Sequence, residues 1–265
     1  MPSLNKAPPV GRGLLDEIVE RVLGADADRT LRQRLLQILT QTYLAGGTTT
    51  AEALGIAPTV TADGAVIRRL ITNHTPAIVG INETTRVAVR EALYDVVEQG
   101  GDLRAQVDAV KQVFRQASQA RAVAIARTES GIFWHVGGRA QGEEAGARSH
   151  TWLATRDQRV REAHRAADGQ CRPLEQPYEV GGEPLMHPCD PAGSPGNIIQ
   201  CRCTETFGVS ACASKAALSY EQGTAIWKRV MRTLGAHERL ATVTMRRLFR
   251  EQRTALLTEL ARLET

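Results

Sequence analysis

The stretch PGNIIQCRCTETF, residues 195–207, decides how the middle of this chain is read. A β-branched run leads into Cys201-Arg202-Cys203 and then into Thr-Glu-Thr-Phe, a pattern that predicts a strand. Residues two apart in a strand share a face, so both thiols would point to one side of a sheet. The plain reading is a pair of small buried side chains on the core face. The alternative is zinc, which takes Cys and His ligands but is usually chelated by C-x2-C rather than C-x-C. His164 would join Cys201 and Cys203 in that case, with His187, Cys189 or Cys171 to complete the set. The strand is preferred, and with it no metal and no cofactor is expected.

Working outward, the segment from Ser149 to Phe207 is rich in Gly and Pro and carries short β-prone pieces, HTWLAT, YEV, EPLMH and NIIQCRCTETF, with Asp190–Asn197 read as a loop that Pro and Gly keep out of the sheet. These predict a small antiparallel sheet with long loops. Asp168-Gly169 is a turn, since Gly supplies a positive φ for a tight reversal. Upstream, apolar residues recur at helical spacing: Leu14, Ile18 and Val22, then Leu31, Leu35, Ile38 and Leu39. A second helix is expected to start near Asp28, and residues 45–55, with Gly46, Gly47 and Gly55, read as a break. Another helix is expected to open at Asn82, present Val87, Val89, Leu93, Val96 and Val97, and stop at Gly100 and Gly101. Two further helical segments follow, with Trp134 and His135 at a helix end. After Lys215 the chain is helical again, with Leu240, Val243, Leu248, Leu256, Leu260 and Leu263 as its apolar stripe. The fold class is therefore α+β, mainly helical, with a small antiparallel sheet in the 149–207 segment. The expected organisation is a disordered arm at 1–13, a helical region at 14–77, a central domain at 78–207 and a basic helical region at 208–265.

Composition sets outer limits. The 265 residues suit one large domain or two smaller ones. Aromatic residues make up only 4%, so the core rests on Leu, Val, Ile and Ala. No apolar run approaches the ~18 residues of a membrane span, and MPSLNKAPPVGRG has no apolar core of a secretory signal. Five cysteines, an odd number, suggest reduced thiols rather than a disulfide scaffold.

Catalysis would rest on Asp157, His164 and Asp168 as acid and base, with Cys203 as nucleophile. The blander reading, preferred here, has Asp157, Arg159 and His164 hydrogen-bonded to pin loops. The tail is basic: between Lys215 and Thr265 ten Lys or Arg face five Glu. On a helix Arg246, Arg250 and Arg253 share a face, which suits contact with DNA phosphates independent of sequence.

In order, the pieces RAVAIARTESG (121–131), WLATRDQRVREAHRAADGQ (152–170) and PLEQPYEVGGEPLMHPCDPAGSPGNIIQCRCT (173–204) resemble the phage Mu F-like head morphogenesis family of minor capsid proteins. INETTRVAVREAL (81–93) is similar to that family's helical lead-in, and the resemblance covers residues 78–207. It falls on Arg127, Thr128, Glu129, Trp152, Asp157, His164, Asp168, Gly169, Asp190, Cys201, Arg202 and Cys203. Departures are His187 in place of an aromatic, Cys189 in place of Gly and Gln200 in place of Asn. The resemblance implies a structural motif and no catalytic activity. It implies a minor head protein of a tailed double-stranded DNA phage or prophage, assisting head assembly or genome packaging. Implied partners are the portal protein, the major capsid protein and packaged DNA, with no membrane. Implied locations are the capsid interior or portal vertex of the virion, and the host cytoplasm during assembly. The competing reading is a zinc-dependent hydrolase or toxin-like nuclease built on Asp157, His164 and the cysteines.

Overall fold

A computed structural model describes residues 11–212 and 220–263. Among the described residues the order is α1 (Arg12–Leu23), α2 (Ala25–Leu54), α3 (Gly64–Glu98), α4 (Leu103–Glu144), β1 (Ser149–Leu153), α5 (Glu162–Ala166), β2 (Cys171–Pro173), β3 (Tyr178–Val180), β4 (Glu183–Leu185), α6 (Pro195–Ile198), β5 (Thr204–Gly208) and α7 (Tyr220–Ala261). The protein is mainly helical α+β with small antiparallel sheets, as the patterning predicts. The arm expected at 1–13 lies mostly outside the described residues, and Arg12 and Gly13 already belong to α1.

The chain divides into two compact units, with the boundaries inside α2, α3, α4 and α7. The first comprises Met1–Leu36, Arg68–Ala122 and Val243–Thr265. Its core is mostly aliphatic: Leu15, Val19, Leu23, Leu31, Leu35, Val89, Leu93, Leu248, Leu256 and Leu260 are buried, joined by Phe114 and Phe249. Asn82 lies well inside α3 rather than at its start. Its side chain donates to Asp28 (2.8 Å) and accepts from Gln252 (3.0 Å), so a residue that favours caps is used here as a buried polar link. Gly100, at φ 68, ends α3 as expected, with Gly101 N–H returning to Val96 O at 2.8 Å.

The second unit comprises Gln37–Ile67 and Val123–Thr242. Sheet order is β2-β1-β5, all antiparallel, and β3 and β4 form a separate hairpin. The break expected at residues 45–55 is absent, because α2 runs on to Leu54. Its glycines serve packing instead. A Cβ on Gly46 would stand 2.1 Å from Trp134 O, and one on Gly137 would stand 1.9 Å from Tyr43 O. The two helices touch backbone to backbone there, which only glycine allows. Trp134 and His135 accordingly sit inside α4, not at a helix end.

Three more expectations need correction. Residues 197–203 are not strand: Pro195 opens the single turn α6, and Gln200, at φ 56, turns the chain before β5 begins at Thr204. Pro is well placed at the first helical position, and a left-handed residue cannot continue a strand. Leu240 and Val243 are exposed at 48% and 61%, since the buried face of α7 runs through Val230, Leu234, Ala241, Met245, Leu248, Leu256 and Leu260. Finally, Cys171 and Cys212 form a disulfide, leaving Cys189, Cys201 and Cys203 as free thiols. The pairing joins β2 to the chain leaving β5, the two strands that flank β1.

Candidate functional site

Three loops of the second unit meet at a buried group of soft donors. His164 comes from α5, Cys189 from the loop after β4, and Cys201 and Cys203 from the loop entering β5. Imidazole Nδ1 of His164 lies 3.4 Å from Cys203 Sγ and 3.5 Å from Cys201 Sγ. The Cys189 thiol faces that of Cys201, and its Sγ is 3.8 Å from Cys201 O. All four side chains are buried. The thiols do not ionise alike. Donation from Cys189 and then Cys203 pulls Cys201 well below the ordinary thiol range. The two donors are pushed well above that range, first by their bonds to Cys201 and then by burial. A cavity of about 330 Å³ opens onto His164, Cys201 and Cys203, and Arg127, Arg161 and Arg202 also line it.

The other motif residues frame these loops. Arg202 forks onto both oxygens of Asp157, with Nη2 to Oδ1 at 3.0 Å, and Arg159 N–H adds a bond of 2.9 Å. Led by Arg202, these contacts hold the Asp157 carboxyl at about 2. The carbonyl of Arg202 accepts from Thr155 Oγ1 (2.7 Å) and Trp227 Nε1 (2.9 Å). Asp168 accepts from Ala154 N–H (2.9 Å) and Arg156 (3.0 Å), and Gly169 makes the turn beside it at φ 79. Asp190 ties its own loop through Met186 N–H (2.7 Å) and Ala192 N–H (2.9 Å). From α4, Thr128 Oγ1 accepts Gln200 N–H at 3.0 Å and Arg127 reaches Gln200 Oε1 at 3.4 Å, so the Arg-Thr-Glu motif steadies the turn before Cys201. Glu129 beside them is buried, which pushes its carboxyl up to about 7. Trp152 is fully buried, edge-on to the rings of His164 and Tyr178.

The expected groupings are thus only partly assembled. Asp157 meets Arg202 and Arg159, while His164 turns to the thiols. Cys171 is removed from any ligand set by its disulfide. His187 belongs to a second buried cluster that sequence reasoning missed. There Glu205 accepts from His150 Nδ1 (3.0 Å) and Tyr178 OH (3.2 Å), and His135 Nδ1 lies 3.6 Å away. His187 stacks on His135 with centroids 5.9 Å apart. Burial pushes the Glu205 carboxyl up, yet His135 and His150 outweigh it and hold it at about 2. The one available signal was alternation: His150 and Glu205 lie in strands at positions where an amphipathic pattern expects apolar residues. On α7, Arg250 and Arg253 are exposed and Arg246 is half-buried.

The fold and this site define a class: a mainly helical protein whose small β region is organised by buried polar clusters. Residues 87–206, from within α3 to β5, match the family described as Phage Mu protein F like protein, so this region is Mu F-like. Comparison with curated proteins and with solved structures gives no match.

Proposed function

We propose that this chain is a minor head protein of a tailed double-stranded DNA phage or prophage. It works at the portal vertex or inner capsid, contacts the portal and major capsid proteins, and assists head assembly or genome packaging. The observation that carries this reading is the family match over residues 87–206. The polar groups of the region support it too. Asp157 and Asp168 are engaged by arginines and backbone amides, so neither is oriented towards His164 as an acid–base partner would be. The exposed Arg250 and Arg253, with Arg246, suit sequence-independent contact with packaged DNA. Cross-linking mass spectrometry on purified heads tests the reading. Cross-links from this chain to portal protein are expected, together with loss of filled heads when its gene is deleted. Filled, infectious particles lacking the chain would overturn it.

A further inference from the structure

The structure assigns a structural zinc site to four side chains: His164 through Nδ1, and the thiols of Cys189, Cys201 and Cys203. The first argument is distance. Zinc bonds of ~2.3 Å to sulfur and ~2.0–2.1 Å to nitrogen, in a tetrahedron, place S and N about 3.6 Å apart and two sulfurs about 3.8 Å apart. The observed N–S separations are 3.5 and 3.4 Å, and the donor atoms of His164, Cys201 and Cys203 all lie within 4.8 Å of one another. Ordinary core packing does not require two thiols and an imidazole nitrogen to converge at ligand spacing, and the Cys189 sulfur, which stands beside Cys201 outside that close group, would draw in to complete the tetrahedron.

Cys189 supplies the second argument, because two local features are spent on placing its sulfur. Its backbone stands at φ 65, a conformation uncommon for a residue with a side chain and retained where surroundings over-determine it. On α4, Gly131 lies directly beneath: a Cβ there would be 2.7 Å from Cys189 Sγ. Together they bring a fourth soft donor against Cys201 from a separate loop. His164 is held by packing, since its ring is edge-on to Trp152 at 5.5 Å and its Nε2 has no hydrogen-bond partner among the described residues. Nδ1 is therefore the nitrogen directed to the thiols. Backbone N–H of Cys203 points at Cys201 Sγ at 3.4 Å, the kind of donor that offsets thiolate charge.

Donor chemistry selects the ion. Three sulfurs and one imidazole exclude calcium and magnesium, which take oxygen, and four protein donors leave no open position for a catalytic water. The metal would join α5, the loop after β4 and the loop entering β5, none of which is tied to the others by a sheet ladder.

The test uses the full chain, purified without chelator, with the three thiols shown to be reduced by alkylation and mass spectrometry. Elemental analysis should give one zinc per chain. Cobalt exchanged into the site should give a tetrahedral spectrum with a thiolate-to-cobalt band of three-thiolate intensity, falling to that of two in Cys189→Ser. Losing a mere supporting partner costs 10–100-fold in metal affinity, so Cys201→Ser and His164→Ala should each weaken zinc by more than ~100-fold. The Cys171→Ser/Cys212→Ser variant should keep its zinc. Folded parent protein that holds neither zinc nor cobalt with reduced thiols would overturn the site. Parent intensity retained in Cys189→Ser would overturn the four-ligand assignment.

Discussion

Two buried polar clusters lie in one unit and solve the same problem differently. Around Glu205 donors meet an acceptor: a carboxylate receives His150, Tyr178 and, at longer range, His135. Around His164 the groups are all donors of electron pairs to a cation, and three of the four are thiols. Burying polar groups is tolerable when partners satisfy them. The first cluster takes its partners from the chain, whereas in the proposed zinc site an ion fills that role. Glu129 completes the contrast, for burial drives that carboxyl up to about 7 while Glu205 stays near 2. Depth alone does not set ionisation; the neighbours do.

The contrast can be broken most forcefully at Glu205. Glu205→Gln removes the charge that His135 and His150 face, and breaking a buried pair costs roughly 3–5 kcal/mol. Urea denaturation should show that loss while metal content stays at the parent level. A change below about 1 kcal/mol would mean that the cluster does not balance its charge internally.

Next in size is the disulfide. The loop it closes contains Tyr178, His187 and Glu205 of one cluster and all three thiols of the other. Replacing Cys171 and Cys212 by Ser should cost about 2–4 kcal/mol through the freer unfolded chain. Both clusters should persist, with zinc retained in denaturant-free buffer. Loss of one cluster alone would show that the ring serves that cluster rather than the region.

The smallest effect is a gain. Between pH 4.5, the ordinary glutamate value, and about 7, the native protein keeps a proton at Glu129 that the unfolded chain has shed. Stability therefore falls as pH rises through that window and levels off above it. Glu129→Gln escapes this fall and should exceed the parent by up to about 3 kcal/mol at pH 8, with the advantage vanishing towards pH 4.5. A difference independent of pH would show that Glu129 is ionised in the native state.

Helix periodicity carried the fold class, and the ordered motifs carried the family, because both signals are local. What stayed hidden depended on contacts between distant residues. Gly46 and Gly137 look like breakers in sequence, yet lacking a Cβ equally suits a close helix contact, and only the partner backbone decides which. The β-branched Ile198 and Ile199 pointed to a strand, but Pro195 and the left-handed Gln200 dominate that stretch. The Cys171–Cys212 pairing spans 41 residues, and no spacing rule announces it. In the sequence His164 and Cys189 are candidate partners of Cys201 and Cys203 only under the zinc alternative, which is not the preferred reading, because a C-x-C alone does not fix which distant loop meets it.

The glycine contact between α2 and α4 also bears on how a chain of this kind can change length. Gly46 meets a carbonyl of Trp134, three residues before Gly137, and Gly137 meets a carbonyl of Tyr43, three residues before Gly46. Each obstacle is main chain, so no exchange of side chains on the opposite helix can make room. Inserting one residue into either helix turns everything beyond it by ~100° and carries side chains into the contact. Length variation is thereby steered away from these two helices and into connecting segments such as residues 55–63 and 145–148, where additions leave the crossing in register.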